Sequence, residues 1–301
     1  MGQTLLNLLG GYSKAMYSTW FYYRPDHLLL DAGEGVASTL DNRVFGIQRV
    51  LLSHGHLDHL SGLPTLVHIR NAGMGEKTKP LEVYYPAGDG YVQWLREYII
   101  RSVPQLEFEL TWISLAPGDR LPLTRGGTHG RVLEVFATHH VPGRLTLGFH
   151  VLERRRRLRP EYQGRSEEEI RTLVQKLGQA AIMEEYEQKL LTYCGDSMPV
   201  SPEEVQGTEI LMHEATFLEV ADRERKVHAT LVEALAVAAL ARVKTLVLYH
   251  ISSRYPRRLV RKRIQERCRA AGLEIPVWWV WQDRWELVEI AGEGKEAPER
   301  I

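Results

Sequence analysis

Short apolar runs rich in Leu, Val, Ile and aromatic residues recur along the chain. They are "HLLLD" (27–31), "RVLLS" (49–53), "LEVYYP" (81–86), "VLEVFAT" (132–138), "LTLGFHVLE" (145–153), "LLTYC" (190–194), "EILMHE" (209–214), "TLVLYH" (245–250) and "PVWWVW" (276–281). Several close on Asp, His or Glu, which predicts strands whose tips project polar side chains into a shared site. Helical segments fall between them. Residues 230–243, rich in Ala and Leu behind a Thr230 cap, predict one helix. Residues 166–189, opening on Ser166 and three glutamates, predict another. The one shift in composition is "ERRRRLRPEYQGR" (153–165), which reads as a solvated loop balanced by Glu167, Glu168 and Glu169. "AGEGKEAPER" (291–300) reads as a frayed tail. With no repeat and no linker, the expectation is one α/β domain over 1–301, carrying a basic loop and helix insertion at about 153–189.

Composition narrows the function classes. The 301 residues carry 38 basic and 38 acidic side chains, so no global positive field draws the chain onto nucleic acid. Polyanion binding would need a local patch, and Arg154, Arg155, Arg156, Arg157 and Arg159 are the candidate. Two cysteines, Cys194 and Cys268, exclude a disulfide framework or a Cys-rich zinc motif. No segment reaches the eighteen or so apolar residues of a membrane span, and the first twenty residues lack a signal-peptide pattern. A cytoplasmic protein with reduced thiols and no membrane partner is expected.

The chemistry concentrates in "LLSHGHLDHLSGLP" (51–64). His54, His56, Asp58 and His59 cannot all converge from a regular strand or helix, but in a loop between the two they can. Imidazole with carboxylate suits zinc or a similar first-row divalent metal. Packing gives no reason to crowd three His and an Asp into six positions. Further ligand types follow later strand-like runs: His139 and His140 in "FATHHVPG", Asp196 in "TYCGDSM" and His250 in "LVLYHISSRY". Neighbours on a strand point to opposite faces, so only one of His139 and His140 reaches a metal. His27, His68, His129 and His150 have no such setting and read as structural or exposed.

HxHxDH, a later His, an Asp in a "GD" turn and a final His, in that order, resemble the metallo-β-lactamase fold hydrolases. The resemblance implies a four-layer αββα sandwich, with two mixed β-sheets flanked by helices and a dinuclear metal site at one edge. It implies one metal on His54, His56 and His140, another on Asp58, His59 and His250, and Asp196 bridging them. "HVPG" resembles the "HTPG" stretch after the ligand in many relatives and selects His140. The metals implied are two divalent ions, zinc or manganese.

The finer resemblance is to ribonuclease Z, the tRNA 3′-processing endonuclease. "LLDAGEG" (29–35), "HGHLDHLSGLPTLVHIRNAG" (54–73), "LMHEATF" (211–217), "VHATLVEA" (227–234) and "HISSRY" (250–255) resemble its motifs. In that family the Glu of "HEATF" pairs with the His of the later motif beside the metals; here these are Glu214 and His228. A carboxylate on an imidazole raises its basicity and suits it to proton delivery. The implied reaction is attack of a hydroxide held by two metals on a phosphodiester, with Asp58 orienting the nucleophile or taking its proton. His228, oriented by Glu214, then protonates the leaving O3′. Arg254 is the candidate phosphate contact, and His213 reads as a structural neighbour. The implied partner is RNA, a precursor tRNA losing its 3′ trailer, and the implied assembly a homodimer. The family carries a protruding arm with a Gly-Pro-rich tip that grips the tRNA between the third and fourth motifs. Residues 153–189 stand there with no Gly-Pro pair. A small phosphodiester such as a cyclic nucleotide is therefore the alternative substrate. An ester or thioester hydrolase ranks below it, since "HEATF" and "HAT" would have no role.

Overall fold

A computed structural model of the chain describes residues 7–74, 79–123 and 130–288. His129 and the tail after 288 lie outside the described residues, so the expectations for them have no counterpart here. The first sheet holds β1 (Leu9–Lys14), β2 (Ser18–Tyr23), β3 (Leu28–Leu30), β4 (Arg49–Leu51), β5 (Leu81–Pro86) and β6 (Leu110–Leu115), side by side in chain order. Its first three strands are antiparallel, and β3 to β6 run parallel. The second sheet holds β7 (Arg120–Pro122), β8 (Arg131–Thr138), β9 (Thr146–Leu158), β10 (Met183–Tyr193), β11 (Ile210–Glu214), β12 (Leu246–Tyr249), β13 (Val277–Trp281) and β14 (Arg284–Leu287). There β10 to β13 run parallel between antiparallel flanks.

Each expected run became a strand because both of its faces are covered. Leu28, Leu30, Val247 and Tyr249 pack between the sheets with Phe21, Phe149 and Tyr193. Leu29 turns the other way, onto α1 (Val36–Leu40), α3 (Leu63–Met74) and α4 (Gly90–Ser102). Leu246 and Leu248 likewise face helices, here α7 (Leu231–Leu240) and α8 (Arg257–Ala270). Strands buried on both faces are continuously apolar. The layers are therefore helix, sheet, sheet, helix. The expected 230–243 helix is α7, and Thr230 and Glu233 cap it reciprocally. Short α2 (Leu57–Leu60) lies inside the His-rich loop. Both cysteines are free and buried. No helix among the described residues is long and apolar enough to cross a membrane.

Two expectations are corrected. The 153–165 segment is not wholly a loop, because β9 runs on to Leu158. The helix expected over 166–189 ends earlier: α5 (Glu167–Leu177) and α6 (Gln179–Ile182) are followed by strand from Met183. Ser166 caps α5 as expected, with Glu169 bonding back, and Gly178 in the left-handed region (φ 83°) ends it. Glu, Gln and Lys are strong helix formers, but cross-strand pairing overrides that preference in 183–189. Arg157, Arg156 and Arg154 stand opposite Glu184, Glu185 and Glu187. Their ion pairs measure 2.6, 3.0 and 3.8 Å. Arg155 reaches Glu153 at 2.7 Å and Glu209 at 2.9 Å. The pairing of β8 with β9 stops at Glu153, and that of β11 with β10 begins only at Leu191. Residues 154–158 and 183–187 thus form a two-stranded ribbon beyond the sheet, tipped by α5 and α6. No residue of α5 is buried.

A ribbon tip that adds little to the core is dispensable for folding. Replacing residues 160–181 by an Asn-Gly turn should leave the melting temperature within a few degrees of wild type in a thermal scan. Loss of the cooperative transition would show that the tip belongs to the core.

Candidate metal centre

The parallel strands of both sheets point their carboxyl ends at one edge, where functional groups of open α/β sheets collect. Asp31 follows β3, Ser53 and His54 follow β4, Asp196 follows β10, Glu214 ends β11 and His250 follows β12. His140 comes in just after β8. Asp31 and His250 adopt left-handed backbone (φ 55° and 59°), a sparsely populated conformation for such residues that clusters at functional sites. Gly195 turns the chain into Asp196 at φ 58°, and a Cβ there would stand 2.7 Å from the Ser53 Cβ. Only glycine lets the Asp196 turn approach the first sheet this closely.

The ligand atoms gather in two main sets and a third that overlaps them. His54, His56, His140 and Asp196 form one, Asp58, His59 and His250 another, and Asp196, His228 and His250 the overlapping third, with ligand atoms in each within 4.8 Å of one another. Asp196 Oδ2 lies between the sets, 3.2 Å from His250 Nε2, 3.3 Å from His59 Nε2, 3.9 Å from His140 Nε2 and 4.0 Å from His54 Nε2. Asp58 Oδ2 stands 3.4 Å from His250 Nε2 and 3.7 Å from His59 Nε2, and accepts the Met16 amide at 3.1 Å. His140 is buried in the cluster and His139 is exposed.

Hydrogen bonds behind the rings set the tautomers. The His140 Nδ1–H donates to the Val227 carbonyl at 2.7 Å. The His59 Nδ1–H donates to Asp31 at 2.7 Å. Ser53 Oγ donates to Asp31, so it accepts from His54 Nδ1 at 3.0 Å. Thr216 Oγ1 donates to Glu214, so it accepts from His250 Nδ1 at 2.9 Å. Each of these four rings is thereby left with a bare Nε2 aimed inward, the arrangement seen around metal-ligating histidines. Burial, together with neighbouring imidazoles, pulls His54 and His56 below the ordinary histidine range, and burial does the same to His140, favouring the neutral ligand form. Burial opposes charge on His59 as well, yet Asp196 and Asp31 raise it; without a cation they draw a proton onto this ring. His54 Nε2, His59 Nε2 and Asp196 Oδ1 are buried with no hydrogen-bond partner. Such orphaned acceptors are costly unless a cation satisfies them, so the residues present fit a divalent metal.

Glu214 and His228 meet beside this cluster. Glu214 is fully buried and accepts from His228 Nδ1 at 2.7 Å, the Ser197 amide at 2.9 Å, the Thr216 amide at 3.0 Å and Thr216 Oγ1 at 2.6 Å. Burial lowers the His228 imidazole, but the Glu214 charge outweighs it and raises the pKa to about 9. His228 Nδ1 also lies 4.0 Å from Asp196, but its bond to Glu214 takes it out of the ligand set. His213 lies outside the ligand sets, with its ring bonded to the backbone of Glu214 and Val200. His150 is buried against Thr192 and Glu204, His27 bonds Tyr22, and His68 is exposed. Arg254 lies at the rim, exposed, with its guanidinium 5.1 Å from the Phe217 ring centre.

Sequence reasoning missed Asp31, Ser53 and Thr216, which bond the backs of the clustered histidines, and Tyr193, which bonds Asp31. Asp31 lay in the quoted "LLDAGEG" stretch, and its place at a strand tip was the available signal.

Residues 27–159 match the beta-lactamase superfamily domain. A ribonuclease Z of Pseudomonas putida is 33% identical over 260 residues, covering 76% of this chain and 77% of the relative. This chain belongs to the ribonuclease Z family. Among solved structures, human tRNase Z, short form, superposes with a TM-score of 0.57 at 22% identity, covering 82% of this chain and 93% of that one. The metallo-beta-lactamase fold protein YhfI from Bacillus subtilis gives a TM-score of 0.62 at 14% identity, covering 91% and 97%. Both share the fold described above. As a ribonuclease Z family member, the chain is a metal-dependent hydrolase of the metallo-β-lactamase fold.

Asp196→Ala should abolish stoichiometric metal binding measured by inductively coupled plasma mass spectrometry; unchanged metal content would remove Asp196 from the centre. Asp31→Asn, which weakens the hold on His59 and Ser53, should lower metal affinity about 10- to 100-fold in a chelator competition.

Proposed function

We propose that this protein is an endoribonuclease that removes the 3′ trailer of precursor tRNA, using two divalent ions, zinc or manganese. The observation that carries this reading is the Glu214–His228 pair set against the ligand cluster. A hydrolase acting on carbon esters would have no use for a second, protonated imidazole there. His54, His56 and His140 would hold one ion, Asp58, His59 and His250 the other, with Asp196 between. When bound, the ions supply an activated water and offset charge on the phosphodiester. Asp58, fixed by the Met16 amide, orients the attacking water and accepts its proton. The Glu214 charge raises His228 to about 9 and so favours its protonated form, and Glu214 fixes which nitrogen faces the back of the site. Its Nε2 delivers the proton to the departing ribose O3′, leaving a 3′-hydroxyl and a 5′-phosphate. Arg254 forks onto a phosphate of the RNA.

The chain then reads as one domain whose 153–189 ribbon is the arm that contacts the tRNA body. The ribbon has the form of an arm without the Gly-Pro tip. Its nine basic and eight acidic residues nearly cancel, and this balance is what favours the second reading, a small cyclic phosphodiester that needs no grip.

Purified protein with zinc or manganese should cut a 3′-extended precursor tRNA after the discriminator base. An intact precursor beside rapid turnover of bis(p-nitrophenyl) phosphate would favour the small substrate instead. His228→Ala should lower kcat on the precursor about 10²- to 10⁴-fold while metal content stays at the wild-type level. A parallel loss of metal would make His228 a ligand rather than the acid.

A further inference from the structure

The outer face of α4 carries three exposed aromatic residues. Trp94 is 67% exposed, Tyr98 59% and Tyr91 40%. They stand three and four residues apart, so they line one stripe of the helix. Tyr91 and Trp94 meet edge to face with ring centres 5.6 Å apart. Arg144 lies over the Tyr91 ring at 4.4 Å and donates to its hydroxyl at 3.1 Å. A cavity of about 480 Å³ lies among Asp89, Tyr91, Trp94, Gly143, Arg144 and Leu145. A second groove, of about 450 Å³, begins on the other side of Trp94 and runs past Tyr98.

Two ligand-bearing loops connect this surface to the chemistry. Gly143, Arg144 and Leu145 follow His140 by a few residues. Asp89 packs against Gly55, between His54 and His56, so closely that a Cβ on Gly55 would collide with its carboxylate. The surface thus adjoins the loops that carry His54, His56 and His140. Its acidic groups are engaged: Asp89 accepts the Tyr91 and Val92 amides, and Glu97 pairs with Arg101 at 3.6 Å. Exposed aromatic rings beside a guanidinium form a platform for unpaired bases and their phosphates. A duplex acceptor stem has no free base faces to offer, whereas a single-stranded 3′ flank does.

We infer that the Tyr91–Trp94–Tyr98 face of α4, with Arg144, is the track on which the single-stranded 3′ trailer stacks as it leaves the metal centre. This rests on the ribonuclease reading above. The stripe runs about 10 Å along the helix axis, enough for a few stacked bases. Only trailers longer than a nucleotide or so extend onto it.

The test compares precursor tRNAs carrying a single-nucleotide and a long unstructured trailer. With Trp94→Ala and Tyr98→Ala combined, KM for the long trailer should rise roughly tenfold or more. kcat, and KM for the single-nucleotide trailer, should stay unchanged, because so short a flank does not reach the rings. Trp94→Phe, which keeps a ring, should retain most of the long-trailer affinity. If wild type cuts both substrates and the double variant keeps both KM values, the inference fails while the ribonuclease reading stands. An equal rise on both substrates also overturns it, since the rings would then hold the tRNA body. So does a shift from dimer to monomer in sedimentation with both KM values intact, which would make the face a self-association surface. If wild type cuts neither substrate, the ribonuclease reading and this inference fall together.

Discussion

The Asp31 carboxylate accepts four hydrogen bonds, from the Ser53 amide, Ser53 Oγ, His59 Nδ1 and Tyr193 Oη, all between 2.6 and 2.8 Å. It follows β3 in the first sheet, and Tyr193 ends β10 in the second. One fully buried carboxylate therefore ties the tips of the two sheets together and aims two of the clustered histidines, His59 directly and His54 through Ser53. Leaving such a carboxylate unpartnered in the interior would be costly, so the sheet tips must stay in this arrangement. The left-handed backbone at Asp31 and the close approach of Gly195 to Ser53 are local strains accepted at this junction.

Glu214 plays the matching part on the second sheet. It is equally buried, and through Thr216 it orients His250 while bonding His228 directly. The same carboxylate thus orients one clustered histidine through Thr216 and raises another to about 9. His54, His140 and His250 turn Nε2 into the cluster; burial lowers His54 and His140, whereas the Glu214 charge raises His228. What stands behind each ring differs: hydroxyls and a carbonyl for His54, His250 and His140, and a buried carboxylate for His59 and for His228, both of which are raised.

The ribbon from 154 to 187 shows how tertiary pairing reassigns a sequence feature. Five arginines in six positions look like a polyanion patch, but four of them face glutamates on the same ribbon or its base. Exposed ion pairs contribute little net stability; here they mainly cancel the field of the run and hold the two strands in register. A substrate grip built on this ribbon would rely on shape and on the tip helices more than on net charge.

Several features were legible in the chain alone. The apolar runs that became strands, the capped start of α7, and the residues that meet in the His/Asp cluster could all be read there, because each depends on local spacing and side-chain chemistry. His140 rather than His139 followed from strand alternation and a local resemblance. The tertiary structure decided the rest. The helix expected over 183–189 became strand because its partner lies some thirty residues upstream, beyond the reach of local propensity. Asp31, Ser53 and Thr216 gained their roles only when two sheets met, since an outer hydrogen bond is defined by what it touches and not by its neighbours in the chain. The aromatic stripe on α4 likewise became a feature only once the fold left it uncovered beside the ligand loops.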